Sequence, residues 1–298
     1  MKTFPNPKIN IGLNVLRKRP DGFHDLETLF VPYFGMTDIL EIEASSHSGC
    51  LRKASASLHP SQPDGWAPPS DMPEGGQPFL EANTMGEKVN IEIIGPKVDW
   101  NPKKDLTVRA YELLDADFNL PPVRMRLVKN IPVGAGLGGG SSDCAFALRM
   151  LNEMFSLGLD DKVLAEYAAR LGSDCAFFIY NRPMFGRGRG EMLEPYDIDL
   201  SGYECRVEVP AGVAVSTSEA YRGVLAAKDA RRDPLPLEDA LKAPVESWKD
   251  TVVNDFEATV FPLYSEIADL KRRFYDEGAV YAAMSGSGSS VFGLFQKS

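Results

Sequence analysis

Ile131-Pro132-Val133-Gly134-Ala135-Gly136-Leu137-Gly138-Gly139-Gly140-Ser141-Ser142 is the stretch from which the rest of the chain can be read. Upstream, Val123, Met125 and Leu127 alternate with Arg124 and Arg126, the period of a half-buried strand. Downstream, Cys144, Ala147, Leu148 and Leu151 recur at helical spacing, and Gly158 supplies a stop. A glycine loop between strand and helix lets several backbone N–H groups converge on one anion, because no Cβ blocks the approach or forbids positive φ. Ser141 and Ser142 are then expected to cap the helix, whose N-terminal N–H groups and dipole favour a phosphate. The bland alternative is a turn with no ligand.

Two familiar loops are set aside. A P-loop read from Gly134 to Gly139 would need lysine where Gly140 stands. Gly134, Gly136 and Gly139 do satisfy the dinucleotide spacing, but the next unit should then be an apolar strand ending in an acid. Instead Val163, Leu164, Tyr167, Ala168 and Leu171 form a second helical stripe.

With 298 residues, 44% hydrophobic and 25% charged, the chain suits roughly two ordinary globular domains. Cys50, Cys144, Cys175 and Cys205 contain no C-x-x-C pair and there are only three histidines, so neither a disulfide framework nor a zinc site is expected, and a reducing cytoplasm fits. The N-terminus has no signal-peptide pattern and no apolar run reaches a membrane span. A net charge of -10 disfavours nucleic acid, leaving small, locally held phosphate ligands.

From Lys8 the chain alternates: Ile9, Ile11, Leu13 and Val15 on one face, Lys8, Asn10, Gly12 and Asn14 on the other. On an ordinary sheet the polar row would be solvated; two amides beside one cation also suit phosphate and hydroxyl recognition. Arg17 to Gly22 reads as a basic turn, followed by Phe23-His24, either packing or a recognition pair. Leu29 to Phe34, Ile39 to Ile42 and Val89 to Ile94 read as strands, and Asp105 to Leu114 as a helix. Between about 45 and 77, Pro, Ser, Gly and Asp accumulate, which predicts a long exposed insertion. Ser173-Asp174 opens the apolar run Cys175 to Tyr180, so Asp174 is either a cap or an active-site base. Composition places a boundary near 190; a strand at Val207 to Val209 and a helix pair from Ser247 to Phe274 follow. Met284-Ser285-Gly286-Ser287-Gly288-Ser289-Ser290 is a second small-residue loop, either a hairpin turn or a second close approach to a ligand.

Together, Pro7 to Leu13, Asp21-Gly22-Phe23-His24-Asp25-Leu26, Ile131 to Ser142, Leu171-Gly172-Ser173-Asp174 and Met284 to Ser290 resemble the GHMP kinases, named for galactokinase, homoserine, mevalonate and phosphomevalonate kinases. The resemblance spans nearly the whole chain except the insertion. It implies an α+β, two-domain fold: a ribosomal-protein-like α/β domain over 1–190 that binds ATP, and a ferredoxin-like domain over 191–298. It implies an ATP site at Pro132, Val133, Gly134, Ala135, Gly136, Leu137, Gly138, Gly139, Gly140, Ser141 and Ser142, with Lys129 near the adenine. Lys8 and Asp174 fall on the family's catalytic lysine and aspartate. The turn with His24 points to the branch that phosphorylates the 2-hydroxyl of a cytidyl diphospho-methylerythritol in the non-mevalonate isoprenoid pathway. Asn10, Phe23, His24, Asp174 and Tyr221 would then meet that substrate, Phe23 and Tyr221 covering the two faces of cytosine and His24 its edge.

In this reading ATP with Mg²⁺ is the donor, Asp174 accepts the hydroxyl proton, and Lys8 keeps it ionised and stabilises the transferring group. No carboxylate is assigned to the metal. Two departures stand out: Phe23 replaces a usual tyrosine, and Lys104-Asp105-Leu106 replaces Asp-Asn-Leu. The rival readings are a mevalonate- or homoserine-type kinase of the same superfamily, and a non-catalytic nucleotide binder, which would need the loop but no base.

Overall fold

The computed structural model describes residues 1–45, 67, 80–82, 88–95, 104–225 and 235–297. The insertion expected over 45–77 lies outside these residues apart from Ser45 and Ala67. The chain divides into two compact units, each assembled from separated segments.

The first unit comprises Met1–Pro7, Met36–Ile131 and Gly139–Asn181. Its sheet runs in the order β1 (Lys2–Thr3), β4 (Ile39–Ala44), β7 (Val123–Val128), β6 (Val89–Ile94), β5 (Leu80–Ala82). The β6–β7 pair is parallel and the others are antiparallel. The alternation seen in β7 holds: Val123, Met125 and Leu127 are buried, while Arg124 is exposed and Arg126 reaches Glu41 across the sheet at 3.3 Å. Helix α1 (Leu106–Phe118) begins at Asp105, whose carboxylate accepts from the Thr107 N–H at 2.9 Å and its hydroxyl at 2.6 Å. The departure from Asp-Asn-Leu therefore has a local use, as a cap. Helix α2 (Gly139–Met154) buries Cys144 through Leu148 as well as Leu151 and packs against α1, β4 and α4 (Cys175–Tyr180), the burial pattern of a central helix. The stripe from Val163 forms α3 (Asp161–Ala169), capped by Asp160.

The second unit comprises Lys8–Gly35, Pro132–Gly138 and Arg182–Ser298, described to residue 297. One antiparallel sheet has the order β2 (Lys8–Lys18), β3 (His24–Pro32), β8 (Met184–Arg187), β9 (Met192–Pro195). Another has β10 (Tyr203–Glu208), β12 (Val291–Gln296), β11 (Tyr281–Met284). Short helices α5 (Thr217–Ala220) and α6 (Leu237–Ala240) precede a 3₁₀ segment, Val245–Asp250. The helix pair expected from Ser247 to Phe274 is instead this 3₁₀ segment, α7 (Glu257–Val260) and α8 (Ser265–Asp276), with Asn254-Asp255 breaking the run to serve strand β2.

Strand β2 departs from the ordinary half-solvated sheet strand. Its polar row is not solvated: Lys8, Asn10 and Asn14 are as buried as Ile9, Ile11, Leu13 and Val15. The apolar row enters two cores, Ile9 and Ile11 with Leu29, Phe185 and Trp248, and Leu13 and Val15 with Phe256, Ile267 and Phe274. The register shifts between Ile11 and Leu13, where Gly12 takes φ +68°, a bulge that glycine tolerates.

Candidate phosphate-binding and catalytic site

The glycine loop is held from beneath by its own carbonyls. Ala135 O accepts from Ser290 N at 3.1 Å and Ser290 Oγ at 2.6 Å, Gly136 O from Lys8 Nζ at 2.9 Å and Ser285 Oγ at 3.3 Å, and Leu137 O from Lys8 N at 3.0 Å. Three successive carbonyls are thus committed to protein donors. Gly134, Gly136 and Gly138 take φ of +73°, +78° and +72°, whereas Ala135 and Leu137 do not take positive φ. Such alternation turns successive N–H groups toward a common concavity, the geometry of an anion nest. Val133, Gly134 and Gly140 are exposed.

The second small-residue loop makes this arrangement possible. It is a hairpin turn, joining antiparallel β11 and β12, and it packs on the glycine loop. A Cβ at Gly136 would come within 3.0 Å of the Ser285 carbonyl oxygen. Asn254, fully buried, donates Nδ2 to Met284 O at 2.7 Å and Gly286 O at 2.8 Å and accepts from Phe256 N at 3.0 Å. Asp255 accepts from Val15 N at 2.8 Å, which ties the same corner to β2. Sequence reading passed over Asn254-Asp255; the one available signal was two polar residues interrupting an apolar stretch.

Lys8 is 3% exposed and its Nζ donates to Gly136 O and to Asn10 Oδ1, with the Phe30 ring centroid 5.5 Å away. Asn10 donates to Thr28 Oγ1 at 2.9 Å, and the Thr28 hydroxyl donates in turn to Gly12 O at 2.6 Å. The polar row of β2 is therefore a wired support that delivers one ammonium group to the glycine loop.

The serines differ from expectation. Helix α2 starts at Gly139, so Ser141 and Ser142 lie within its first turn rather than at its cap, and the buried Ser142 hydroxyl donates to Asn6 O at 2.7 Å. Asp174 occupies the position before α4 with φ -86° and ψ -12°, and its carboxylate makes no capping bond to that helix. Of the two readings of Asp174, the cap is the one this geometry does not use. Ser173 Oγ approaches Asp174 Oδ1 at 3.4 Å.

Lys129 lies at the end of β7 with a side chain 4% exposed, its Nζ between Asp38 and Asp143. Burial alone would lower its pKa, but attraction to Asp143 and Asp38 raises it above the ordinary 10.5. Burial likewise pushes the Asp143 carboxyl well above its usual range against the pull of Lys129. Among the described residues, Asp143 Oδ1 is the buried side-chain oxygen or nitrogen without a hydrogen-bond partner.

Phe23, His24 and Tyr221 do not form the arrangement expected of them. His24 stacks on Tyr221, with ring centroids 4.6 Å apart and planes 17° from parallel, instead of standing at an edge. Phe23 is 54% exposed with the Arg189 guanidinium 4.9 Å from its ring centroid. Tyr221 also meets Phe256 edge-on at 4.7 Å, so its ring has partners from both packing and stacking. Burial and then the charge of Lys18 lower the His24 pKa below 6.5, favouring the neutral imidazole at pH 7. No group of three or more His, Cys, Asp or Glu suited to a metal occurs among the described residues.

Comparison with known proteins gives a consistent picture. Residues 105–182 match the profile of the GHMP kinase N-terminal domain and residues 231–298 that of the GHMP kinase C-terminal domain. The chain is 45% identical over 295 residues to a 4-diphosphocytidyl-2-C-methyl-D-erythritol kinase of Bacteroides fragilis, covering 99% of this chain and 92% of that protein. A crystal structure of 4-(cytidine 5'-diphospho)-2C-methyl-D-erythritol kinase superposes with a TM-score of 0.71 at 30% identity, covering 99% of this chain and 90% of that one. Leishmania major mevalonate kinase, solved with R-mevalonate, shares the fold alone, at a TM-score of 0.58 and 15% identity over 100% of this chain and 88% of its own.

Proposed function

Because the chain belongs to the 4-diphosphocytidyl-2-C-methyl-D-erythritol kinase family of the GHMP kinases, we propose that Gly134 to Ser142 cradle the phosphates of ATP and that Asp174 and Lys8 carry the transfer. The reaction is ATP-dependent phosphorylation of the substrate that gives the family its name, at its 2-hydroxyl, a step of isoprenoid precursor synthesis. The observation that carries the site reading is the run of three inward-pinned carbonyls from Ala135 to Leu137, which leaves the intervening N–H groups to an anion.

Phosphoryl transfer has a loose transition state, so the protein acts mainly by alignment and charge. The loop's N–H groups and the N-terminus of α2 hold the phosphates. Lys8, fixed on Gly136 O, supplies positive charge beside the loop as negative charge builds on the transferring group. Asp174, uncommitted to helix capping, accepts the proton of the attacking hydroxyl. A magnesium ion bound to the nucleotide phosphates would supply neutralisation of their charge. The exposed Phe23 ring and the His24–Tyr221 stack are the aromatic surfaces offered to cytosine in this reading, and Asn10 acts through Lys8. The family-matched regions 105–182 and 231–298 lie on either side of the boundary near 190, across which Lys8–Gly35 packs with the later segment, and a cytoplasmic location follows the cysteine usage, with Cys144, Cys175 and Cys205 all free.

The test is ATP turnover with the cytidyl substrate beside mevalonate, homoserine and galactose. Turnover confined to the cytidyl substrate supports the assignment. Preference for one of the others would move the chain to another branch, and nucleotide binding with no turnover on any would make it a binder.

A further inference from the structure

The ion cluster of Asp38, Lys129 and Asp143 does something that the resemblance does not assign to it. We propose that Lys129 is a positioning residue: with Asp38 and Asp143 it clamps the two ends of the glycine loop at a fixed separation and makes no contact with the nucleobase. Asp38, which immediately precedes β4, accepts from the Asn130 and Ile131 N–H groups with Oδ1 at 2.6 and 2.7 Å, so it grips the chain as it enters the loop. Its other oxygen binds Lys129 Nζ, and the same ammonium binds Asp143 Oδ2 at 2.5 Å, in helix α2 where the chain has left the loop. Asn130 adds a bond from Nδ2 to Thr37 O at 3.1 Å. Entry and exit are thus joined through one cation, and the side chains of Asp38, Lys129 and Asp143 are 0, 4 and 3% exposed.

The same geometry argues against contact with adenine. An ammonium group carries three donors, and two are spent on carboxylates in a site closed to solvent. Lys129 Nζ would also lie 3.4 Å from a Cβ at Gly139, so it packs under the first residue of α2. A group so placed controls where the Gly139 and Gly140 N–H groups point, and hence phosphate alignment, to which transfer rates are sensitive at the 1 Å scale.

The inference rests on the proposed role of the loop, so the experiment separates the two. Steady-state kinetics with ATP and with GTP are measured for Asp38→Asn, Lys129→Met and Gly139→Val, with folding checked by circular dichroism. Asp38→Asn keeps an oxygen for the Asn130 and Ile131 N–H groups but turns an amide donor toward the ammonium. The clamp predicts that Asp38→Asn and Lys129→Met each raise KM for both nucleotides and lower kcat by roughly 10-fold or more, the loss in kcat reaching up to the 10²-fold scale of a misaligned reacting group, and leave the ATP-to-GTP preference unchanged. A preference that shifts in Lys129→Met but not in Asp38→Asn overturns it in favour of a base contact. Unchanged KM in Asp38→Asn while Gly139→Val raises it also overturns the clamp and spares the loop. Unchanged ATP kinetics in Gly139→Val removes the loop reading itself and the clamp with it. Should Lys129→Met not fold, Asp38→Asn, which leaves Lys129 paired with Asp143, decides alone: a raised KM with unchanged nucleotide preference supports the clamp, and any other result overturns it.

Discussion

Gly136 and Gly134 allow the contact between the two small-residue loops to be weighed by a paired substitution. Both take positive φ, +78° and +73°, so replacing either by alanine incurs the same left-handed backbone cost, about 1–2 kcal/mol. Their surroundings differ. Around Gly134 a Cβ would meet nothing within 4 Å, whereas at Gly136 it would crowd the Ser285 carbonyl and lie 3.1 and 3.2 Å from the Gly288 carbonyl oxygen and nitrogen. These are backbone atoms and cannot swing aside, so the loops must part. Parting strains the bonds from Ser290 Oγ to Ala135 O, 2.6 Å, and from Ser285 Oγ to Gly136 O, 3.3 Å. At about 0.5–1.5 kcal/mol per bond, losing two adds about 1–3 kcal/mol. Gly136→Ala should therefore destabilise by about 2–5 kcal/mol and Gly134→Ala by about 1–2. Urea denaturation of both variants gives the difference, and ATP KM should rise more for Gly136→Ala because Lys8 moves with the loop. Equal midpoints and equal KM values for the two variants would refute the claim that the loops support each other.

Three other outcomes are expected. Asp174→Asn should keep shape and ATP affinity but lose roughly 10²-fold or more in kcat, the scale of general-base removal; near-full turnover in a folded variant would end that role. Phe23→Leu and Tyr221→Leu should each raise KM for the cytidyl substrate with ATP spared, since stacking on a base is worth about 1–3 kcal/mol; His24→Ala should in addition narrow the preference over a uridyl analogue, and weakened ATP binding instead would mark all three as packing. The His24 imidazole should titrate below 6.5 by NMR and move upward in Lys18→Ala, because burial and then Lys18 oppose the proton. With the folded pKa lowered, the unfolded chain takes up the proton first as pH falls through 6.5, so the contribution of His24 to stability is present above 6.5 and fades below it. A midpoint at or above 6.5 would contradict this.

What could be read in advance depended on how local each signal was. The strand, glycine loop and helix around residue 136 are contiguous, and their periods of 2 and 3.6 are visible in the letters. Lys8 stood out because it shares a strand with Asn10, two residues away. Asp38 did not, since its partner Lys129 is 91 residues distant and nothing near Asp38 marks it as more than an ordinary turn acid. Asn254 was hidden in the same way, its bonds running 30 and 32 residues forward to the second loop. The burial of the polar face of β2 was out of reach because a period of 2 reveals that two faces differ, not what covers them. Serine after glycine suggested a cap, but Gly139 and Gly140 already begin the helix.

The second unit gathers Lys8–Gly35 from near the start of the chain with Arg182 onward from its second half. Its two cores need residues from both: Ile9, Ile11, Leu13 and Val15 fill space among Phe185, Trp248, Phe256 and Phe274. A ribosome that has just released the first hundred residues therefore carries a strand pair whose apolar side has no lasting partner until the chain from Phe185 onward emerges. The order of synthesis and the order of packing are at odds here, and the turn from Arg17 to Gly22, complete in itself through Arg19 N to Phe23 O at 2.7 Å, is what can keep that early hairpin in register while it waits.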